Sequence, residues 1–380
     1  MDFELTSENL MLKESAASFV KKDHSFERLR ELKNDQWGYS KDVWQKMAEL
    51  GWMGLTYPEE YGGLELDFSY VLVLQEEFGK GVLPEPWLST VLLSGGLVLS
   101  GGTESQKEQI LPEIVSGDLM MSLAYLEEDG LFEINHCSTA ATKKEGDFSI
   151  SGKKVFVMDG CSADKFIVTA RTSGSLSDSG GITLFLVPKE ADGMRVTPLK
   201  TIDGRNACIL EFNDVTVPAE SIIGEPDSGF QILSNSINKA TAGVCAEMIG
   251  GMQACLDLTV EYISERMQFN KPIGSFQALQ HKAADMFIQK ELATSATYYA
   301  IASVVEGVED QDMGLAVSVA KAKCSSSYMD ITKTAIQLFG AIGFTSEADV
   351  GFFLKRALAT KVLFGDVDYH LNRYSVLKGD

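Results

Sequence analysis

The sequence has no paired cysteines. Its six, Cys137, Cys161, Cys208, Cys245, Cys255 and Cys324, form no CxxC unit. That spacing signals neither a metal site nor a disulfide framework, and scattered cysteines of this kind are expected as small buried residues. No long hydrophobic run is present either. The longest, around 90–99, is short and interrupted by Gly95 and Gly96, so no bilayer crossing and no membrane partner are expected. The start shows no charged-then-apolar leader, and the expectation is a cytoplasmic protein. Neither GxGxxG nor GxxxxGK[ST] occurs, which counts against a nicotinamide site on a Rossmann domain and against a P-loop. Cationic residues are scarce: 33 Lys and Arg face 54 Asp and Glu, a formal net charge of −21. Such an excess argues against nucleic acid or an anionic membrane as partner. No internal repeat or low-complexity tract is evident.

What is there is enough chain for two or three domains, since 380 residues exceed what one core usually holds. The composition, 45% apolar and 23% charged, is that of a soluble globular protein. Residues 1–120 read as an N-terminal helical domain. One helix starts at Ser7, with Leu10, Leu12, Ala16 and Phe19 as apolar candidates; another starts at Ser40, with Val43, Met47 and Leu50 on one face. Further helices are expected over 66–80 and 104–116, the latter capped by Thr103 or Ser105, with Pro112 as an interruption or restart. Residues 57–63 form a loop by their Pro and Gly content. From about Ser122 the period shortens. Six strand-like runs, 148–150, 154–158, 166–172, 182–187, 195–199 and 208–218, are separated by Ser151-Gly152, Gly180-Gly181 and Asp192-Gly193. They define a middle β domain over 121–226, a compact sandwich or barrel. Over 227–380 the helical period returns as a C-terminal four-helix bundle, with Val244, Met248, Met252, Leu256, Ile263 and Met267 on one stripe. The remaining helices are expected at 275–305, 312–340 and 347–375.

The stretch 264–287 carries the most specific signal. Arg266, Phe269, Asn270 (where Gly is usual), Pro272, Ile273, Phe276, Gln277, Gln280, Ala284, Asp285 and Met286 match RxxFGxPIxxFQxxQxxLADM almost letter for letter. On these residues the chain resembles the acyl-CoA dehydrogenase family, and the α, β, α layout agrees over essentially its whole length. The resemblance implies an α+β acyl-CoA dehydrogenase fold. It also implies FAD bound without a Rossmann domain, between the β domain and the C-terminal helices. Arg266 then falls at the FAD pyrophosphate, where a guanidinium fork matches phosphate oxygens. Gln268, Phe269 and Gln277 fall beside adenine and phosphate. Gln337 and Gly340 match a Q-x-x-G-G segment whose second Gly is Ala341 here. An acyl-CoA ligand is polyanionic, so in this acidic chain its site must be locally basic or built from backbone donors.

The β domain departs from the family pattern. In T-E-x-x-x-G-S-D, Leu126 stands for the Thr whose hydroxyl lies near the flavin, and Glu127 is retained. In W-I-T/S-N-G, Phe156 stands for Trp and Met158 for the hydroxyl residue. A phenyl ring still packs on an isoalloxazine; Met158 donates no hydrogen bond.

The implied reaction is α,β-dehydrogenation of a CoA thioester, which needs a base for the α-proton and donors on the thioester carbonyl. The usual glutamate, in a Y-E-G-T run, is replaced by Phe364 in Leu363-Phe364-Gly365-Asp366. The other position known in the family, on the long helix, is Ala240. Asp366 is the nearest replacement, ahead of Asp368 and His370, with Glu85 as a second carboxylate candidate; a helix-cap or ion-paired aspartate is the plainer reading of Asp366. The segments 363–371 and 1–6 resemble the small subunit of pimeloyl-CoA dehydrogenase and related two-gene enzymes. Three functions remain open: an FAD-dependent acyl-CoA dehydrogenase or a subunit of one, a non-catalytic structural subunit, and altered chemistry on an acyl-CoA. The last is weakened because the pocket-lining stretch 81–100 holds no Arg, Lys or His. Implied partners are an acyl-CoA, an electron-transferring flavoprotein as acceptor, and either a homo-oligomer or an α2β2 heteromer.

Overall fold

The computed structural model describes residues 5–33 and 35–379. Met1–Glu4 of the opening segment lie outside the described residues. The helices that precede the sheet are α1 Ser7–Asp23, α2 Phe26–Leu32, α3 Lys41–Glu49, α4 Ser69–Gly81, α5 Gly96–Gly101 and α6 Glu104–Val115. The strands β1 Met121–Ala124, β2 Ala140–Lys144, β3 Asp147–Met158, β4 Lys165–Arg171, β5 Ile182–Pro188, β6 Met194–Lys200, β7 Asn206–Val217 and β8 Ile222–Ile223 follow. Then come α7 Gly229–Glu265, a small hairpin of β9 Met267–Gln268 and β10 Lys271–Pro272, α8 Gln277–Val305, α9 Asp310–Phe339, α10 Val350–Thr360 and α11 Val367–Lys378.

These elements form two compact units. One gathers residues up to Arg30, Asp67–Leu83 and everything from Thr241; the other gathers Glu31–Leu66 and Pro84–Ala240.

The helical unit rests on close approach. A Cβ on Gly79 of α4 would lie 1.9 Å from the Glu247 carbonyl oxygen of α7, and one on Gly250 would lie 1.9 Å from that of Glu76. Only glycine permits this contact between backbones. Beside it, the Arg356 guanidinium of α10 pairs with Glu247 and donates to the Val82 and Leu83 carbonyls. Both ions are buried, so each depends on the other. The expected stripe Val244, Met248, Met252, Leu256 and Ile263 is buried. Met267 is not part of it: α7 ends at Glu265, and Met267 is 54% exposed in the hairpin. In α1, Ala16 and Phe19 are buried, whereas Leu10 stands exposed.

In the other unit the strands are hydrogen-bonded in one sheet of order β6-β7-β3-β2-β4-β5-β8, with β1 parallel to the start of β4. Its core is Phe148, Ile150, Val157, Phe166, Phe185, Leu210, Phe212 and Val217, among others. The runs expected at 148–150 and 154–158 are one strand, β3. Ser151-Gly152 forms a register shift inside it rather than a turn, as an extra residue does when a strand bends without ending. The short β1 and β2 have no clean alternation and escape the sequence pattern.

Two helical expectations change, and one helical stretch was not foreseen. The latter is Leu88–Gly95, which is π-helical and leads directly into α5. Tyr57 Oη donates to the Val91 carbonyl there at 2.6 Å, and a Cβ on Gly95 would strike that hydroxyl at 1.8 Å. Pro112 sits inside α6. The segment 347–375 is not one helix but α10 and α11, parted by a turn at residues 361–366 in which Phe364 (φ 60) and Gly365 (φ 113) leave the helical region. Among the described residues, no helix is long and apolar enough to cross a membrane.

Candidate functional site

The candidate residues divide between the two units. On the sheet, Leu126 is held beside β3 by a bond from Val155 N–H to its carbonyl at 2.9 Å. Phe156 has a left-handed backbone (φ 48) where β3 shifts register against β7, and its ring is 37% exposed. Met158, at the strand end, is half-buried. The frame for this patch is Glu127. Its carboxylate accepts from Lys154 Nζ at 2.7 Å, from Thr139 Oγ1 at 2.7 Å and from Ser138 N–H at 2.6 Å. Burial raises the Glu127 pKa, but Lys154 and the hydroxyl donors outweigh it and hold it down to about 2. Lys154 is wholly buried and also donates to Thr169 Oγ1 at 2.8 Å. A lysine in an otherwise apolar run, with a glutamate upstream, was the available signal for this pair.

A second buried network was not legible in the sequence. Asp159 Oδ2 accepts from Ser89 Oγ at 2.7 Å and Arg205 Nη2 at 2.8 Å. Glu85 is buried and its Oε1 accepts from Ser40 N–H at 3.3 Å.

In the helical unit, Arg266 follows directly on α7. Its N–H donates to the Tyr262 carbonyl at 2.8 Å, while its side chain is exposed and has no hydrogen-bond or ion-pair partner among the described residues. Tyr262 ties this corner to the end of α9. Its ring stacks on Phe339 with centroids 4.1 Å apart, and its hydroxyl donates to the Phe339 carbonyl at 3.2 Å. Arg266 and the segment containing Gln337 and Gly340 are thereby brought together. Gln337 is exposed, and Gly340 has φ 68 and ψ −144, a conformation that suits glycine. Space is open where its side chain would be. Gln268 lies in β9, and Phe269 is 82% exposed with its ring edge-on to Phe276. Gln277 is the exposed first residue of α8.

The turn at 361–366 is built differently. Phe364 is buried. His370 Nε2–H donates to its carbonyl at 3.1 Å. Lys321, buried in α9, donates to the carbonyls of Gly365 at 2.8 Å and Lys361 at 3.2 Å. Burial lowers the Lys321 pKa to about 8 and, with the charges of Lys321 and Arg373 added, that of His370 to about 3. A Cβ on Gly365 would meet Tyr369 at 2.3 Å and His370 at 2.9 Å. Asp366 is the N-cap of α11, its Oδ1 accepting from Tyr369 N–H at 2.9 Å. Asp368 is exposed in the first turn of that helix. Ala240, on α7, is fully buried.

Sequence profiles of acyl-CoA dehydrogenases match the chain in order: the N-terminal domain at residues 6–118, the middle domain at 122–215 and the C-terminal domain at 227–375. The chain belongs to the acyl-CoA dehydrogenase family. The short-chain specific acyl-CoA dehydrogenase of Megasphaera elsdenii is 31% identical over 349 residues, 88% of each chain. The glutaryl-CoA dehydrogenase of Desulfococcus multivorans is 30% identical over 370 residues, 94% of this chain and 92% of that one. The solved structure of butyryl-CoA dehydrogenase from M. elsdenii has the same fold over the whole of both chains, with a TM-score of 0.92 at 28% identity.

Proposed function

We propose that this chain is an FAD-binding acyl-CoA dehydrogenase subunit of the cytoplasm that works in a heteromer, with a second acyl-CoA dehydrogenase subunit supplying the base. The observation that carries this reading is the turn at 361–366. Phe364 has no basic group, Gly365 has no room for a side chain, and the one carboxylate, Asp366, is occupied as a helix cap. Ala240 leaves the long-helix position without a carboxylate as well.

The residues present fit FAD. Arg266 offers an exposed guanidinium with no side-chain partner among the described residues, suited to a pyrophosphate. Gly340 leaves its backbone open to close approach, and Gln268, Phe269, Gln277 and Gln337 supply exposed amides and a ring around the same corner. On the sheet, Phe156 offers a ring face, while Leu126 and Met158 offer no hydroxyl. When bound, the flavin supplies a hydride acceptor for the β-carbon of a CoA thioester. This chain's own part is to bind and orient, and an electron-transferring flavoprotein is the acceptor the family implies. A dicarboxylyl or side-chain-bearing thioester follows from the likeness to pimeloyl-CoA dehydrogenase small subunits.

Anaerobic addition of an acyl-CoA panel to the purified, flavin-loaded chain tests the reading. The expected result is an unbleached flavin that bleaches once the partner subunit is present. A second reading, a structural subunit without flavin, is favoured by the missing hydroxyls at Leu126 and Met158. A purified chain with no visible flavin spectrum, and none after reconstitution, would replace the first reading with it.

A further inference from the structure

The sheet unit brings two cysteines together where β3 ends against β7. Val157 of β3 is opposite Cys208, and Met158 is opposite Ala207. The chain then turns through Asp159-Gly160 and presents Cys161. Its N–H donates to Asn206 Oδ1 at 3.0 Å, and its Sγ lies 3.2 Å from the Ala207 carbonyl. These bonds fix Cys161 beside β7, one residue along from Cys208, on the same side where Gly160 backs onto the Cys208 sulfur. Gly160 makes the approach possible: a Cβ there would lie 2.4 Å from Cys208 Sγ. Cys208 is wholly buried and Cys161 is buried with 6% residual exposure, so Cys161 is the nearer of the two to solvent. Lys189 Nζ donates to the Cys161 carbonyl at 2.7 Å and places a cation beside it. The neighbouring Cys208, with Lys189, lowers the Cys161 pKa below the usual thiol range, and Cys161 with burial raises that of Cys208.

We propose that Cys161 and Cys208 are an oxidation-sensitive dithiol, with Cys161 the attacking thiol and Cys208 the resolving one, closed to a disulfide by a peroxide. In the first step the Cys161 sulfur attacks the peroxide. An S–O bond forms, the O–O bond breaks and, with hydrogen peroxide, one water leaves. In the second step the Cys208 sulfur attacks the sulfenic acid. The S–S bond forms, the S–O bond breaks and a second water leaves. The two thiols are oxidised and the peroxide is reduced. The bond pins the end of β3, the strand that carries Phe156 and Met158.

The chain contains its own control. Cys245 and Cys324 in the helical unit are a second pair of neighbouring cysteines, and both are fully buried. Without an entry point this pair stays reduced while Cys161 and Cys208 react.

The test is non-reducing peptide mapping of the folded chain after graded hydrogen peroxide. The expected product is a 161–208 cross-linked peptide pair that has lost two hydrogens and is restored by dithiothreitol. In Cys208→Ser, folded by circular dichroism, Cys161 is expected to be trapped as a sulfenic acid that a dimedone probe labels. Overoxidation of Cys161 without a cross-link in the wild type, or cross-linking of 245–324 at equal or lower peroxide, would overturn the proposal. An absence of any cysteine oxidation would overturn it too.

Discussion

Two turns of the helical unit, the corner from Arg266 to Gln277 and the turn at 361–366, are made on opposite principles. At the corner side chains face outward: Arg266, Gln268, Phe269 and Gln277 are exposed, Arg266 without a side-chain hydrogen-bond or ion-pair partner among the described residues, and Gly340 nearby is open. At the turn the interior closes on the chain. Phe364 is buried, Lys321 and His370 hold the backbone carbonyls, and Asp366 is used by α11. The first presents its side chains outward; the second commits Lys321, His370 Nε2 and Asp366 Oδ1 to its own fold. On the proposed reading, the open corner holds the cofactor and the closed turn is why this chain does not start the reaction by itself.

If that contrast is right, substitutions in the turn act on stability and those in the corner act on binding. The largest effect is expected from Lys321→Ala, which leaves buried carbonyls without donors and empties the space of a long side chain. A loss of about 3 kcal/mol by chemical denaturation is expected, with flavin affinity affected only through folding. Arg266→Ala should weaken FAD by about 2 kcal/mol, the scale of a charge-assisted bond, with the unfolding midpoint of the flavin-free chain unchanged. Equilibrium dialysis and thermal unfolding on the same samples separate the two outcomes. Equal loss of stability at both sites would erase the contrast.

Acid should weaken the closed regions selectively. His24 and His370 are held neutral by burial, at about 4 and about 3 against the ordinary 6.5. Their folded pKa values lie below the unfolded one, so the unfolded chain binds more protons as pH falls. The stability they contribute is full above pH 6.5 and is lost progressively toward each folded value. Glu127 has the same sign lower down, its contribution disappearing between its ordinary 4.5 and about 2. A thermal-unfolding series against pH should therefore begin to fall below neutrality, and His370→Asn should flatten its upper part. The smallest effect belongs to Asp366. Replacement by Ala should cost about 1 kcal/mol as a lost helix cap, whereas Asn, an equally good cap, should be close to neutral. Identical flavin behaviour in wild type and Asp366→Asn is expected; a difference confined to flavin reduction would return Asp366 to the chemistry.

The corner was legible because its residues are consecutive and specific: Arg266, Pro272, Phe276 and Gln277 identify it without coordinates. That Phe364 stands where the resemblance implies a glutamate was equally visible. What closes the turn was not, because Lys321 and His370 reach it from other helices, and a lone lysine on a helical pattern reads as a solvated face. The same holds for Gly365, whose need for glycine arises from Tyr369 and His370 packed against it. Strand limits were misread where a bulge mimics a turn, as at Ser151-Gly152 in β3. The helix through Gly95 and Gly96 was not foreseen, because glycine often marks a break, whereas here Gly95 makes room for Tyr57 inside a continuous helix.

The central claim concerns the chain alone, and flavin absorbance under anaerobic acyl-CoA addition tests it most directly. The account predicts a bound oxidised flavin whose spectrum shifts with the ligand but does not bleach until a partner subunit with an intact base is added. Bleaching by any acyl-CoA, with this chain as the sole protein present, would contradict it.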